Sequence, residues 1–91
     1  MDTLEGMRTF AAVVDEGSFS RAAERLDRSP QLVSKYVAQL EARLGVRLLN
    51  RSTRKLSITE AGQAYLDRCR QIVGEVDDLE DAVSNMSEAV R

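Results

Sequence analysis

Between Asp2 and Gly45 a helical apolar pattern is cut three times by residues that end one helix or begin the next, and this punctuation restricts the chain to short helices packed on one another. Leu4, Met7, Phe10, Ala11 and Val14 recur at the three-and-four spacing of a helical face, behind Asp2 or Thr3 as a cap and ahead of Gly17 as a stop. Ser18 caps a second helix of about two turns, with Phe19, Ala22, Ala23 and Leu26 on its apolar side and Arg21, Glu24 and Arg25 outward. Ser29-Pro30 then sets a cap before a proline at the first helical position, where its missing N–H costs nothing. The third helix turns Val33, Val37, Leu40 and Leu44 inward and Gln31, Ser34, Lys35, Ala38, Gln39 and Ala42 outward, and Gly45 closes it.

After Gly45 the period changes. Val46 to Asn50 and Lys55 to Ile58 are short segments of β-branched residues and leucine around the polar turn Arg51-Ser52-Thr53-Arg54, which predicts a two-stranded hairpin. Thr59 can cap a long fourth helix whose apolar stripe alternates four-and-three spacings. Cys69, Val76, Val83 and Val90 take the a positions of a heptad and Tyr65, Ile72, Leu79 and Met86 the d positions. A second copy of the chain is expected to cover this stripe, the alternative being a helix folded back onto its own domain. In a parallel pair Glu75 would face Glu80 of the partner helix, so antiparallel pairing is favoured.

Composition narrows the chemistry. Ninety-one residues make one domain, 43% apolar and 31% charged, an ordinary globular balance. No apolar stretch approaches the ~20 residues that cross a bilayer, and Met1 to Glu5 lack the regions of a signal peptide, so a cytoplasmic protein is expected, with no membrane partner. The lone Cys69 cannot form an internal disulfide, and a chain without histidine lacks the commonest general base and metal ligand, so no metal or cofactor is expected. Net charge is only −2, but it is unevenly distributed. From Ser18 to Ile58 nine basic residues stand against three acidic ones, and from Thr59 onward eight acidic against three basic. A basic binding surface joined to an acidic helix is the reading this division supports.

Two short helices at a sharp turn, followed by a basic hairpin, make a helix-turn-helix with a wing, in a mainly α fold. Gln31, Ser34, Lys35 and Gln39 have the reach and hydrogen-bonding groups to meet base edges in a major groove. The helix N-termini at Ser29 and at Ser18 to Ser20 offer N–H groups to phosphates. Between Ala42 and Thr59 no acidic residue occurs, while Arg43, Arg47, Arg51, Arg54 and Lys55 supply positive charge suited to a phosphodiester backbone. Residues 1–58 are thus expected to form the winged helix-turn-helix and 59–91 a linker helix for dimerisation.

These residues carry a family resemblance over the whole chain. Gly17-Ser18-Phe19-Ser20 with Ala22, Ala23 and Leu26, then Val33-Ser34-Lys35 with Leu40-Glu41 and Leu44-Gly45, then Leu48, Arg51, Arg54, Leu56, Thr59, Ala61 and Gly62, resemble the N-terminal winged helix-turn-helix of the LysR-type transcriptional regulators. The resemblance implies binding to double-stranded promoter DNA at interrupted palindromes, a homodimer through antiparallel linker helices, and an inducer that acts only through a C-terminal effector domain absent from this length of chain. That length is expected of a fragment, with a natural stand-alone module as the alternative. The resemblance places recognition contacts on Pro30, Gln31, Ser34 and Lys35 and wing contacts on Arg51 and Arg54. Pro30-Gln31-Leu32 stands where many members have glutamine and small residues, Lys35-Tyr36 replaces a frequent Arg-Gln, and Leu49 replaces the usual phenylalanine of the wing. The first two bear on base preference and the third on packing. Leu32 is either a thymine-methyl contact or a residue partly covered by the second helix.

Two other classes compete. One is a protein-interaction module in which the acidic helix is the working surface and no DNA is bound. The other is an enzyme or redox sensor using Cys69, against which its place on an apolar stripe argues.

Overall fold

A computed structural model describes the backbone of residues 2–52 and 55–90, and the side chains of these except Ser52 and 87–90. It contains α1 (Thr3–Glu16), α2 (Phe19–Leu26), α3 (Pro30–Leu44), β1 (Leu49–Ser52), β2 (Lys55–Ile58) and α4 (Glu60–Val90). Three helices, an antiparallel hairpin and a long C-terminal helix form a winged helix-turn-helix with its linker helix, as expected.

The caps explain the boundaries. Asp2 Oδ1 accepts the Glu5 N–H at 2.7 Å, Ser18 Oγ that of Arg21 at 3.3 Å, and Ser29 Oγ that of Leu32 at 3.1 Å, so each helix begins where a side chain satisfies an orphan donor. Gly17 and Gly45 close α1 and α3 at φ 69° and 71°. Asp27 closes α2 in the same left-handed region, φ 56°, without glycine's freedom. Thr59 caps α4, its hydroxyl accepting the Gly62 N–H at 2.9 Å while donating to the Arg47 carbonyl at 2.6 Å.

Phe10, Val13, Ala22, Ala23, Val33, Val37, Leu40, Leu48, Leu49 and Leu66 form the core, each large side chain contributing about 1.5–3 kcal/mol on burial. Two faces are rotated from the expected stripes. α1 buries Phe10, Ala12 and Val13 completely, while Leu4, Met7, Ala11 and Val14 are half-buried, because α2, α3 and α4 all pack on it and demand a wider apolar band. α3 buries Glu41 instead of Leu44, which is 39% exposed.

The hairpin is shifted as well. β1 begins at Leu49, not Val46, and Arg51 and Ser52 lie on the strand, opposite Leu56 and Lys55. The reason lies in Glu41, whose carboxylate accepts the N–H groups of Leu48 at 2.8 Å and Leu49 at 3.2 Å and so holds the chain in a turn up to β1. Arg54 lies outside the described residues.

The heptad stripe of α4 divides. Cys69 is 1% exposed, its thiol donating to the Met7 carbonyl at 3.5 Å, and Tyr65 meets Phe10 edge-on with ring centres 5.8 Å apart, so both are used within the chain. Leu66, outside the expected stripe, joins the core. Beyond this docking point Val76 is half-buried, while Ile72, Leu79, Val83 and Met86 are 41%, 63%, 58% and 66% exposed. The Val90 side chain lies outside the described residues. Among the described residues no helix is long and apolar enough to cross a membrane.

Candidate nucleic-acid interface

With Val33, Val37 and Leu40 buried, successive steps of about 100° carry Gln31, Lys35 and Ala38 to the opposite side of α3. Gln31 and Lys35 are exposed and Ser34 half-buried at the edge toward the hairpin. There a concave surface is lined by Phe19, Pro30, Gln31, Ser34, Arg51, Lys55 and Leu56. The first turns of α2 and α3 thus meet the wing in one place. Lys35, Gln39 and Ser20 are exposed but are not among the residues that line this concavity. The hydroxyls of Ser18 and Ser29 accept helix N–H groups, so their first role is to fix the two N-termini. Leu32 is half-buried, leaving part of its side chain available at the surface.

Arg51 is braced from two sides. Its guanidinium carbon lies 4.9 Å from the centre of the Phe19 ring, and Nη2 lies 3.5 Å from Glu41 Oε1. Glu41 is 7% exposed and also lies 3.9 Å from Arg47. This carboxylate joins α3 to the wing, a role that neither the charge count nor the Leu40-Glu41 match to the family assigns it. A signal was present: Glu41 follows Val37 by one helical turn, on the buried side. Glu41→Ala leaves two buried N–H groups without an acceptor, at about 1–3 kcal/mol each. A fall in stability of about 2–4 kcal/mol is expected in urea unfolding, with a smaller loss for Glu41→Gln, which keeps an acceptor oxygen. An unchanged midpoint for both would refute the anchor.

The structure also corrects the charge count. Arg25 lies 3.4 Å from Asp15 and Glu16, and Arg28 3.1 Å from Glu5, so these two cations are balanced by α1. Lys35, Arg47, Arg51 and Lys55 are exposed on α3 and the wing. Among the described residues no cluster of metal ligands occurs. Burial pushes the Cys69 thiol above its ordinary pKa, the opposite of what a reactive thiolate requires.

A family model for bacterial regulatory helix-turn-helix proteins of the lysR family matches residues 4–63. The chain belongs to this family. A similar relative is an HTH-type transcriptional repressor of Pseudomonas aeruginosa (strain UCBPP-PA14), 52% identical over 80 residues, which are 88% of this chain and 25% of the repressor. The HTH-type transcriptional activator AaeR of Escherichia coli (strain K12) is 47% identical over 79 residues, 87% of this chain and 26% of AaeR. Among solved structures, the BenM DBD in complex with catB site 1 DNA matches with a TM-score of 0.88 at 30% identity, covering 96% of this chain and 97% of that one. This lysR-family chain spans about a quarter of the length of the curated relatives it matches.

Proposed function

We propose that the chain is the DNA-reading and dimerising part of a LysR-type transcriptional regulator and has no enzymatic activity of its own. The observation that carries this reading is the meeting of Gln31 and Ser34 of α3 with Arg51 and Lys55 of the wing on one concave, basic surface. α3 enters the major groove with Gln31, Ser34 and Lys35 toward base edges, while the wing and the N-termini at Ser18 and Ser29 meet phosphates. Ser20, Pro30, Leu32 and Gln39 complete the surface, and Arg54, outside the described residues, is a further phosphate contact in this reading. Residues 1–58 read DNA, and residues 59–91 pair with a second copy, antiparallel, through Ile72, Val76, Leu79, Val83, Met86 and Val90. The relatives' names support regulation of transcription, and the DNA bound to the BenM DBD supports the choice of partner. In a longer parent a small-molecule inducer acts through a further domain, and the protein works in the cytoplasm at the nucleoid.

Selection from a pool of random duplexes at two salt concentrations tests the reading. An interrupted palindrome with half-sites about one helical turn apart is the expected enrichment. Lys35→Ala should cost about 1–3 kcal/mol on the selected sequence and relax preference there. Lys55→Ala should weaken all sequences alike and lower the salt slope by about one. Lys55 is the cleaner wing probe, because Arg51 is also braced by Glu41. No binding to any duplex would reject the reading in favour of a protein-interaction module, and equal losses on selected and random DNA for both variants would refute the division of roles.

A further inference from the structure

α4 leaves the body of the domain at a crossing with α1 where apolar packing is confined to Tyr65, Leu66 and Cys69. Beyond Cys69 the two helices are separated by a cleft of about 410 Å³, whose walls include the small residues Ala11, Cys69 and Gly74 together with Leu26 and Val73. A Cβ added at Gly74 would meet nothing within 4 Å. Beyond Cys69, side chains that do not interdigitate leave little apolar packing to fix the angle at which α4 continues past α1.

Two ion pairs span the cleft. Arg8 of α1 grips Asp77 of α4 with both nitrogens, at 2.7 and 3.3 Å, and Arg70 of α4 reaches back to Asp15 of α1 at 2.6 Å. The arrangement is reciprocal: each helix contributes one arginine and one aspartate, seven residues apart, so the pairs sit two turns from each other on both helices. Rotating α4 in either sense stretches at least one pair. Asp15 is also 3.4 Å from Arg25, which ties α2 to the same clamp, and Glu80 faces Arg8 from α4. Arg70 holds the Asp15 carboxyl, and Arg8 that of Asp77, below the usual carboxylate range.

We infer that the reciprocal pairs Arg8–Asp77 and Asp15–Arg70 set the angle between the DNA-reading body and α4, and thereby the half-site spacing that a dimer accepts. The inference rests on the reading proposed above. The geometry makes a small angle matter. The molecule is 25 Å across its second axis, so a tilt of about 10° moves its far side by about 4 Å, roughly the 3.4 Å rise of one base-pair step. Exposed pairs of this kind are too weak to govern folding, but they are enough to bias two orientations of similar energy by a few-fold.

The test is a set of palindromic duplexes built on the selected half-site, with the intervening length varied one base pair at a time. The wild-type protein should show a single preferred spacing. Arg8→Ala and Arg70→Ala should each reduce the preference over the next spacings by at least threefold, and the double variant should nearly abolish it. Arg8→Lys, which keeps the charge, should retain most of it. All four should bind a single half-site as the wild type does, which a loss of folding would not permit. A spacing optimum that persists unchanged in the double variant overturns the inference alone. A wild-type protein without any optimum overturns the inference together with the dimeric reading beneath it.

Discussion

Gly62→Ala should unfold the junction between the wing and α4, lowering stability by about 3 kcal/mol and the melting temperature by 10 °C or more. A Cβ built at Gly62 falls on the Leu48 carbonyl oxygen and lies 2.8 Å from Ile58 Cγ1. Neither obstacle can move cheaply. The Leu48 carbonyl accepts the Thr59 N–H at 3.0 Å, its own N–H is held by Glu41, and Ile58 is paired with Leu49 in the hairpin. Alanine would bring about 1 kcal/mol of helix propensity, so the steric term must exceed that before any loss appears. Gly74→Ala separates the two effects. It lies in the same helix with open space at its Cβ, and should be neutral or stabilising by up to about 1 kcal/mol. Thermal unfolding that finds the two substitutions equivalent would remove Gly62 as the point of close approach.

Leu79→Asp should produce monomers at micromolar concentration, with a dimer dissociation constant raised at least a hundredfold. Leu79 is 63% exposed in the single chain, at the centre of the apolar positions beyond the docking point on α1. Because a two-fold interface repeats every residue, the substitution places two carboxylates in the seam, and each would lose water without gaining a partner. Folding of the single chain should change by less than about 0.5 kcal/mol, as for other substitutions at exposed positions. Operator affinity should fall at least tenfold, while binding to an isolated half-site is kept. Sedimentation showing an unchanged dimer would place the interface elsewhere. Cys69→Ser provides the contrast: Cys69 is buried against α1, so this change should act on stability and leave association alone.

Much of the molecule was legible from residues close together in the chain. Ser18, Ser29 and Thr59 cap helices where the sequence places them, Gly17 and Gly45 end helices, and Val33, Val37 and Leu40 face inward, because a cap or a helical face depends on neighbours within about four positions. The exposure of Gln31 and Lys35 follows from the same arithmetic, since what is not buried on a capped helix is presented. Asp27 shows the limit even locally: it closes α2 where a glycine would be the ordinary signal.

What depended on distant partners was decided by the tertiary structure. Periodicity alone cannot say which half of a continuous stripe meets its own domain, so Tyr65 and Cys69 read like Leu79 and Val83 until α1 is in place. Glu41 reads as a solvated charge until the wing delivers the N–H groups of Leu48 and Leu49 to it. Arg25 and Arg28 count toward a basic face until Asp15, Glu16 and Glu5 are found opposite them. The sequence by itself thus determined the four helices, where each begins, where α1 and α3 end, and that α3 presents Gln31 and Lys35, all products of short-range geometry. Only the tertiary structure decided where charge is cancelled, where the hairpin starts and how much of α4 remains free, because these follow from groups brought together across 7 to 69 positions of chain.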